Sequence, residues 1–535
     1  MRFLFSIWIV VVVCVTLSLA RTSDCPDYPA PGIELQDPYA IYSQNGVLQA
    51  TFTLAHSVDV SGFTHYCYKY QSPSGIVEAP TLRLNRGDQL QLTLIDRIRQ
   101  DEDAKDAHDS FEMEMPNSPT KKCGDGGAMT VRSTNMHFHG MNVPPTCHQD
   151  DVIDTLIQPG RPGFDYNIQV PADEPPGLYW YHPHVHGFTE FQVNGGAAGA
   201  LIVEGMDKVR PEVAGLTERV FVIRQQYLVP WIPGPYKLTI NDESADFPRE
   251  PLATVPMNPG EKQFWRVANA TLQDFMPLQV LINGKAEKLE IIALDGYPLK
   301  QTKKVDTILV PPAGRAEFIV EAPPAGQFGQ FITQAYDTGP TGNADVQQIL
   351  AEIQLSPSGG RTKPAPAQTV QAKSSESTAT SAPGHMKFDD LEAQKPSVER
   401  KLYFSEEFGG TNGPIQFYIT VDGQKQKVFA ADEKPVITTK VGAVEDWTIE
   451  NRALETHAFH MHQIHFKLLE VDGKHVDPVM LDTVAIPFWD GKSAYHRVKV
   501  RMDFRDPTTA GTFVFHCHIL LHEDLGMMHK ILVEP

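Results

Sequence analysis

The run His516-Cys517-His518-Ile519-Leu520-Leu521-His522-Glu523-Asp524-Leu525-Gly526-Met527 sets a cysteine between two histidines, with another histidine and a methionine downstream. Thr512-Phe513-Val514-Phe515 ahead of it reads as a strand. Alternate side chains of a strand point to opposite faces, so Cys517 faces one way and His516 and His518 the other. On the cysteine's side, Cys517, His522 and Met527 offer a thiolate, an imidazole and a thioether. With one more histidine, that set suits a blue-copper electron-transfer centre. On the other side, two imidazoles are left for metals of their own. One strand would then join an electron entry point to a reaction centre.

Half of the 20 histidines fall into four clusters: His137-Phe138-His139-Gly140, His182-Pro183-His184, His457-x-x-His460-x-His462 and the C-terminal run. The His-x-His spacing puts both rings on one face of a strand, where two adjacent metals can each take one. Two clusters lie early in the chain and two late, so the site is expected between the first and last domains, a usual place for a reaction centre. Zinc is satisfied by four ligands and needs no axial methionine. The donor set here is far larger and favours copper. His186 and His465 are surplus to the pattern and read as structural or surface histidines.

The elements that must carry these clusters are short strands. Thr81-Leu82-Arg83-Leu84 and Gln89-Leu90-Gln91-Leu92-Thr93-Leu94 alternate in hydrophobicity around the turn Arg86-Gly87-Asp88. The same strand-turn-strand unit returns at Val255 to Ala268 and at Ile437 to Asn451. A second echo matches Gly177-Leu178-Tyr179-Trp180-Tyr181-His182-Pro183-His184 to Gly511-Thr512-Phe513-Val514-Phe515-His516-Cys517-His518. The middle of the chain has Gly326-Gln327-Phe328-Gly329-Gln330-Phe331 in that place and no histidine. Repeats of this length predict an all-β chain of three copies of one β-sandwich, the middle copy free of metal.

Residues 356–398 are rich in Ser, Pro, Ala and Thr and read as a flexible connector. The expected domains are therefore 21–205, 206–355 and 399–535. Residues 1–20, with Arg2, an apolar run and Ser18-Leu19-Ala20, read as a cleaved signal peptide. A membrane anchor is the lesser alternative. Secretion or a periplasmic location follows. The net charge of −20 argues against nucleic acid or an anionic membrane as partner. Cys14 leaves with the leader and Cys517 goes to metal, so Cys25, Cys67, Cys123 and Cys147 can form two disulfides in any of three pairings. Asn269-Ala270-Thr271 fits a glycosylation sequon.

The four histidine motifs resemble those of the three-domain multicopper oxidases, the group of laccases, bacterial cuproxidases, spore-coat laccases and bilirubin oxidases. The resemblance implies a cupredoxin Greek-key sandwich for each domain and four copper ions. By the same resemblance, a type 1 copper would be held by His457, Cys517 and His522 with Met527 axial. The type 2 copper would take His137 and His460. The type 3 pair would take His139, His182 and His518 on one ion and His184, His462 and His516 on the other. Glu523 matches an acid near the type 3 coppers, and Asp150 or Asp151 an aspartate near type 2; each would relay protons. Ala458 and Gln463 depart from the usual proline and glycine beside the ligands. The implied reaction reduces dioxygen to water with electrons from a small donor, on a monomer.

Phenols and aromatic amines are the first expectation for that donor, and Cu(I) or Fe(II) the alternative. The third domain has no methionine-rich insertion of the cuproxidase kind. Met113, Met115 and Met129, near Glu112 and Glu114, read first as loop or core residues, while Met-x-Met beside acids keeps the metal-ion reading open. A non-catalytic copper carrier does not fit so complete a ligand set.

Overall fold

The computed structural model describes residues 24–58, 64–99, 123–226, 237–355, 386–409 and 415–535. The expected leader, Met113 and Met115 with Glu112 and Glu114, and residues 356–385 of the expected connector lie outside the described residues. The architecture is all-β, and the main sheets come in three pairs, one pair for each expected sandwich. In the first sandwich a sheet of five strands contains, in spatial order, Ala40–Tyr42, Thr81–Leu84, Gly199–Val203, Gly177–His182 and His137–His139. Facing it is the sheet of Phe164–Gln169, Gln89–Asp96, Val47–Val58, Thr64–Ser72 and Gly75–Glu78.

The repeat seen in the sequence is a crossing between sheets, not a hairpin. Thr81–Leu84 pairs with strands of one sheet, and Gln89–Asp96 with strands of the other. The residues Gln89-Leu90-Gln91-Leu92-Thr93-Leu94 alternate between half-buried and buried because one face looks into the core and the other outward. Gly177–His182 is buried at every position. Tyr179 and Tyr181 fill the core of the first sandwich, while Leu178 and Trp180 pack on Val220, Val222 and Ala268 of the middle one. Gly177 sits so near the middle domain that a Cβ there would lie 2.2 Å from the carbonyl oxygen of Gly296.

The same strand order recurs three times. Thr254–Met257, Gln348–Leu355, Gly329–Thr333 and Met276–Ile282 follow it in the middle, and Ile437–Lys440, Met528–Glu534, Gly511–Cys517 and His457–Met461 in the last. Strands that carry histidine in the outer sandwiches carry Gln, Phe, Leu and Thr in the middle one. In the last sandwich, Phe513, Phe515 and Cys517 point into the domain's own core. Val514, on the opposite face, packs with Val152 of the first domain.

Two expectations need amending, and one choice left open is settled. Residues 386–398 are not loose connector: Phe388 and Leu391 are 6% and 0% exposed and belong to the core of the last sandwich. Those two side chains are the large apolar groups that composition averaged over the stretch conceals. Asn269 is 1% exposed, and its amide nitrogen donates to the carbonyls of Asp274, Val310 and Pro311, so the sequon asparagine is a buried corner post. The cysteines pair as Cys25–Cys67 and Cys123–Cys147, which settles the choice the sequence left open.

Candidate metal centre

Cys517, His457 and His522 meet inside the last sandwich. The Cys517 Sγ lies 3.4 Å from Nδ1 of His457 and 3.9 Å from Nδ1 of His522, and the two nitrogens are 3.3 Å apart. Local hydrogen bonds fix this triangle. The Cys517 N–H donates to the Met527 carbonyl, and the Met527 N–H to that of His522, closing the loop around the short helix Leu520–Asp524. The Ile519 N–H points at the sulfur from 3.5 Å. Met527 is fully buried in the same core cluster as Cys517. Burial pushes the Cys517 thiol up, so its thiolate requires a cation beside it.

The outer edges of both imidazoles meet carboxylates. Nε2 of His457 is 3.3 Å from Oε1 of Glu406, and Nε2 of His522 is 3.5 Å from Oε2 of Glu455. Burial, and then the neighbouring Glu406, raise the Glu455 carboxyl to about 9. Phe417 stacks on His522 with ring centres 4.0 Å apart.

The other eight histidines converge between the first and last sandwiches, none more than 2% exposed. His137 pairs with His182 across two adjacent strands of the first domain, and His460 with His516 across two of the last. Nε2 of His516 lies 3.3 Å from that of His184 and 3.1 Å from that of His462. Two nitrogens each about 2.0 Å from one metal would stand roughly this far apart. The rings of His139, His182 and His518 form a second group, with centres 5.0 to 5.9 Å apart. His137 and His460 face each other at 6.1 Å.

The ring tautomers follow from the surrounding acceptors. Nδ1 of His182 donates to the Pro183 carbonyl, that of His516 to the Cys517 carbonyl and that of His460 to the Asp482 carbonyl, at 2.7 to 2.9 Å. Nδ1 of His137 stands 2.9 Å from both oxygens of Asp150. The proton is thereby held on Nδ1, and Nε2 is left bare. Nε2 of His137, His139, His182 and His460 and both ring nitrogens of His518 are buried with no hydrogen-bond partner. Burial, reinforced by neighbouring rings, lowers the affinity of these imidazoles for protons. Neutral, bare, inward-facing nitrogens would be costly orphans without a cation, so these residues fit a group of metal ions.

Of the expected acids, Asp150 is 1% exposed, and burial pushes its carboxyl up to about 8. It also accepts from the Phe138 N–H at 2.9 Å and from Nε2 of Gln463 at 2.6 Å. The departure at Gln463 is therefore part of the site, tying the last domain to the first. Asp151 instead caps the turn at the Asp154 N–H, 3.0 Å away. Glu523 is fully buried, 3.6 Å from Nδ1 of His184, and accepts from Oγ1 of Thr189 at 3.2 Å. Burial and adjacent Asp524 raise its carboxyl well above the usual range. The surplus histidines are structural or near the site rather than on the surface: His465 is 0% exposed, and His186 groups with Glu523 and Asp524.

Sequence reasoning missed Glu406, Glu455, Asp482 and Arg315. Glu455 stands two residues before His457 and was open to notice; the others lie far from any histidine motif in sequence.

Three multicopper oxidase family profiles match residues 129–208, 220–353 and 409–535. The chain belongs to the multicopper oxidase family. This oxidase is 25% identical over 476 residues to multicopper oxidase mco of Staphylococcus haemolyticus, across 86% of this chain and 83% of the relative. It is 24% identical to a laccase of Haloferax volcanii, across 77% of this chain and 69% of that protein. Its fold matches a Campylobacter jejuni multicopper oxidase described as a metallo-oxidase, with a TM-score of 0.67 and 21% identity over 96% and 98% of the two chains. Family membership makes the chain a copper-dependent oxidoreductase that takes a small-molecule or metal-ion donor and dioxygen.

Proposed function

We propose that the oxidase binds four copper ions and draws electrons from a cationic donor, Cu(I) or Fe(II), at the Glu406–Glu455 edge of its entry centre. His457, Cys517 and His522, with Met527, would hold the type 1 ion, and His137 and His460 the type 2 ion. His139, His182 and His518 would hold one type 3 ion, and His184, His462 and His516 the other. Bound copper would accept single electrons at the first site and reduce dioxygen to water at the other three. The chain's own work is placement. Cys517 links the two sites covalently through His516 and His518. Asp150 orients His137, and Glu523, buried beside His184, holds a proton for delivery to the reaction centre. The two disulfides support export by the leader at 1–20.

The carboxylates at the outward nitrogens of both entry imidazoles carry the choice of donor. A metal cation arriving there would displace the proton that burial and Glu406 hold on Glu455, and the freed oxygens favour its more oxidised product. This reverses the order expected from sequence, where phenols came first. The phenol reading keeps one observation in its favour. Phe408 and Ile415 pair across the hairpin on the same face as Glu406 and Phe417, and are 53% and 39% exposed. Oxygen uptake with Fe(II), Cu(I) and 2,6-dimethoxyphenol separates the readings. In a Glu406→Gln, Glu455→Gln protein, kcat/KM for the metal ions should fall roughly tenfold or more with phenol turnover kept, the loss of about one charge-assisted contact. Wild-type turnover fast on phenol alone and unaltered metal-ion kinetics in the variant would return the assignment to a laccase.

A further inference from the structure

We propose that Arg315, a residue of the middle sandwich with no histidine cluster of its own, is a positioning residue for the eight-histidine centre. It acts on His139 directly and on His460 through Asp482 of the last domain, and Gly140 is the gap that admits it. Arg315 is 1% exposed and Asp482 0%. The guanidinium meets both carboxylate oxygens, with Nη1 2.8 Å from Oδ1 and Nη2 on Oδ2. Its remaining N–H groups go to the carbonyls of Leu178, Ala313 and Asp295.

All five donors are thus engaged with oxygen. Nη1 also lies 3.3 Å from Nδ1 of His139 and, because a guanidinium can only donate, shares a hydrogen with that ring nitrogen. Oδ1 of Asp482 stands 3.9 Å from the same nitrogen, beyond hydrogen-bond reach, and acts on that ring electrostatically. Asp482 also presents its backbone carbonyl to Nδ1 of His460 at 2.9 Å, and its Oδ1 accepts from Oγ1 of Thr483, which is 3.2 Å from the same ring nitrogen. One residue thereby serves rings from the first and last domains, which stack 3.9 Å apart.

Asp295, also from the middle domain, accepts the N–H groups of Arg315, Asp482 and Thr483. A Cβ on Gly140 would lie 2.4 Å from Nη2 of Arg315 and 2.7 Å from Oδ2 of Asp482. Its φ of +86° is a second reason for glycine there. The glycine that closes His137-Phe138-His139-Gly140 is thus explained by a residue of another domain. Without Arg315, Asp482 would be a buried, unpaired charge beside two rings.

This rests on the four-copper reading, and wild-type protein tests that first: no type 2 EPR signal there would sink the reading itself. Given the signal, Arg315→Met should weaken copper retention at the histidine centre roughly 10- to 100-fold in a chelator titration. It should also alter the type 2 hyperfine splitting while the blue absorption stays as in wild type. Arg315→Lys should fall between. Should Arg315→Met not fold, Asp482→Asn, which keeps the shape, carries the same expectation. A wild-type type 2 spectrum and copper retention in the variant that folds would overturn the proposal. So would equal loss of the blue band and the type 2 signal with a lower melting point of the copper-free protein, the mark of a merely structural role.

Discussion

His457, Cys517, His522 and Met527 all come from the last sandwich; hydrogen bonds within a short loop fix Cys517, His522 and Met527, and the adjacent strand His457–Met461 brings in His457. The eight-histidine centre draws four rings from each of two domains and leans on side chains of the third. Both centres meet on one strand, Gly511–Cys517, whose two faces look into different surroundings. The entry centre therefore depends on local geometry and the cluster on how the domains seat. Damage to one should be separable from damage to the other.

The sharpest separation is Cys517→Ser. Blue absorption and turnover should both vanish while copper stays at the histidine centre, as read by EPR and total copper. A serine protein that remains blue would break the comparison at its root. Next is Glu523→Gln, an uncharged near-isostere that cannot deliver a proton. Steady-state oxygen uptake should fall about 100-fold or more, the scale of general acid catalysis. Anaerobic bleaching of the blue band by donor should be unchanged, because that step uses only the entry centre. Unaltered oxygen uptake would remove Glu523 from the proton path.

Asp150→Asn should act on the cluster alone. It replaces an oxygen facing Nδ1 of His137, and copper affinity there should drop roughly 10-fold or more with the blue band retained. Smaller still is the loss of the Cys123–Cys147 bridge, whose sequence separation is 24. Replacing both cysteines with serine should cost about 3 kcal/mol of stability by denaturant titration. Cys147 is three residues before Asp150 in the chain, so any loss of copper should again fall on the cluster.

The same division governs what the sequence made legible. His516, Cys517, His518, His522 and Met527 are neighbours in the chain, and strand alternation alone assigns them to two sides. The three-fold repeat of strands was legible because each copy needs the same apolar pattern to form a sandwich. Arg315 and Asp482 were not: the ion pair joins residues 167 positions apart, and neither sits in a motif. Glu406 faces His457 only because its strand, Val398–Phe408, runs beside Ala443–Asn451. Disulfide pairing and the packing of Phe388 and Leu391 were equally matters of tertiary contact. Asp150 and Asp151 differ by one position in sequence, yet one faces His137 and the other caps a turn.

The two proposed copper centres share one strand and rest on separate supports. Titrating copper-free protein with copper, while following total bound metal, blue absorption and EPR together, tests this most directly. Saturation is expected near four ions per chain, with a type 2 signal beside the blue band. Saturation at about one ion with the blue band complete would contradict it, because the eight buried histidines would then hold no metal.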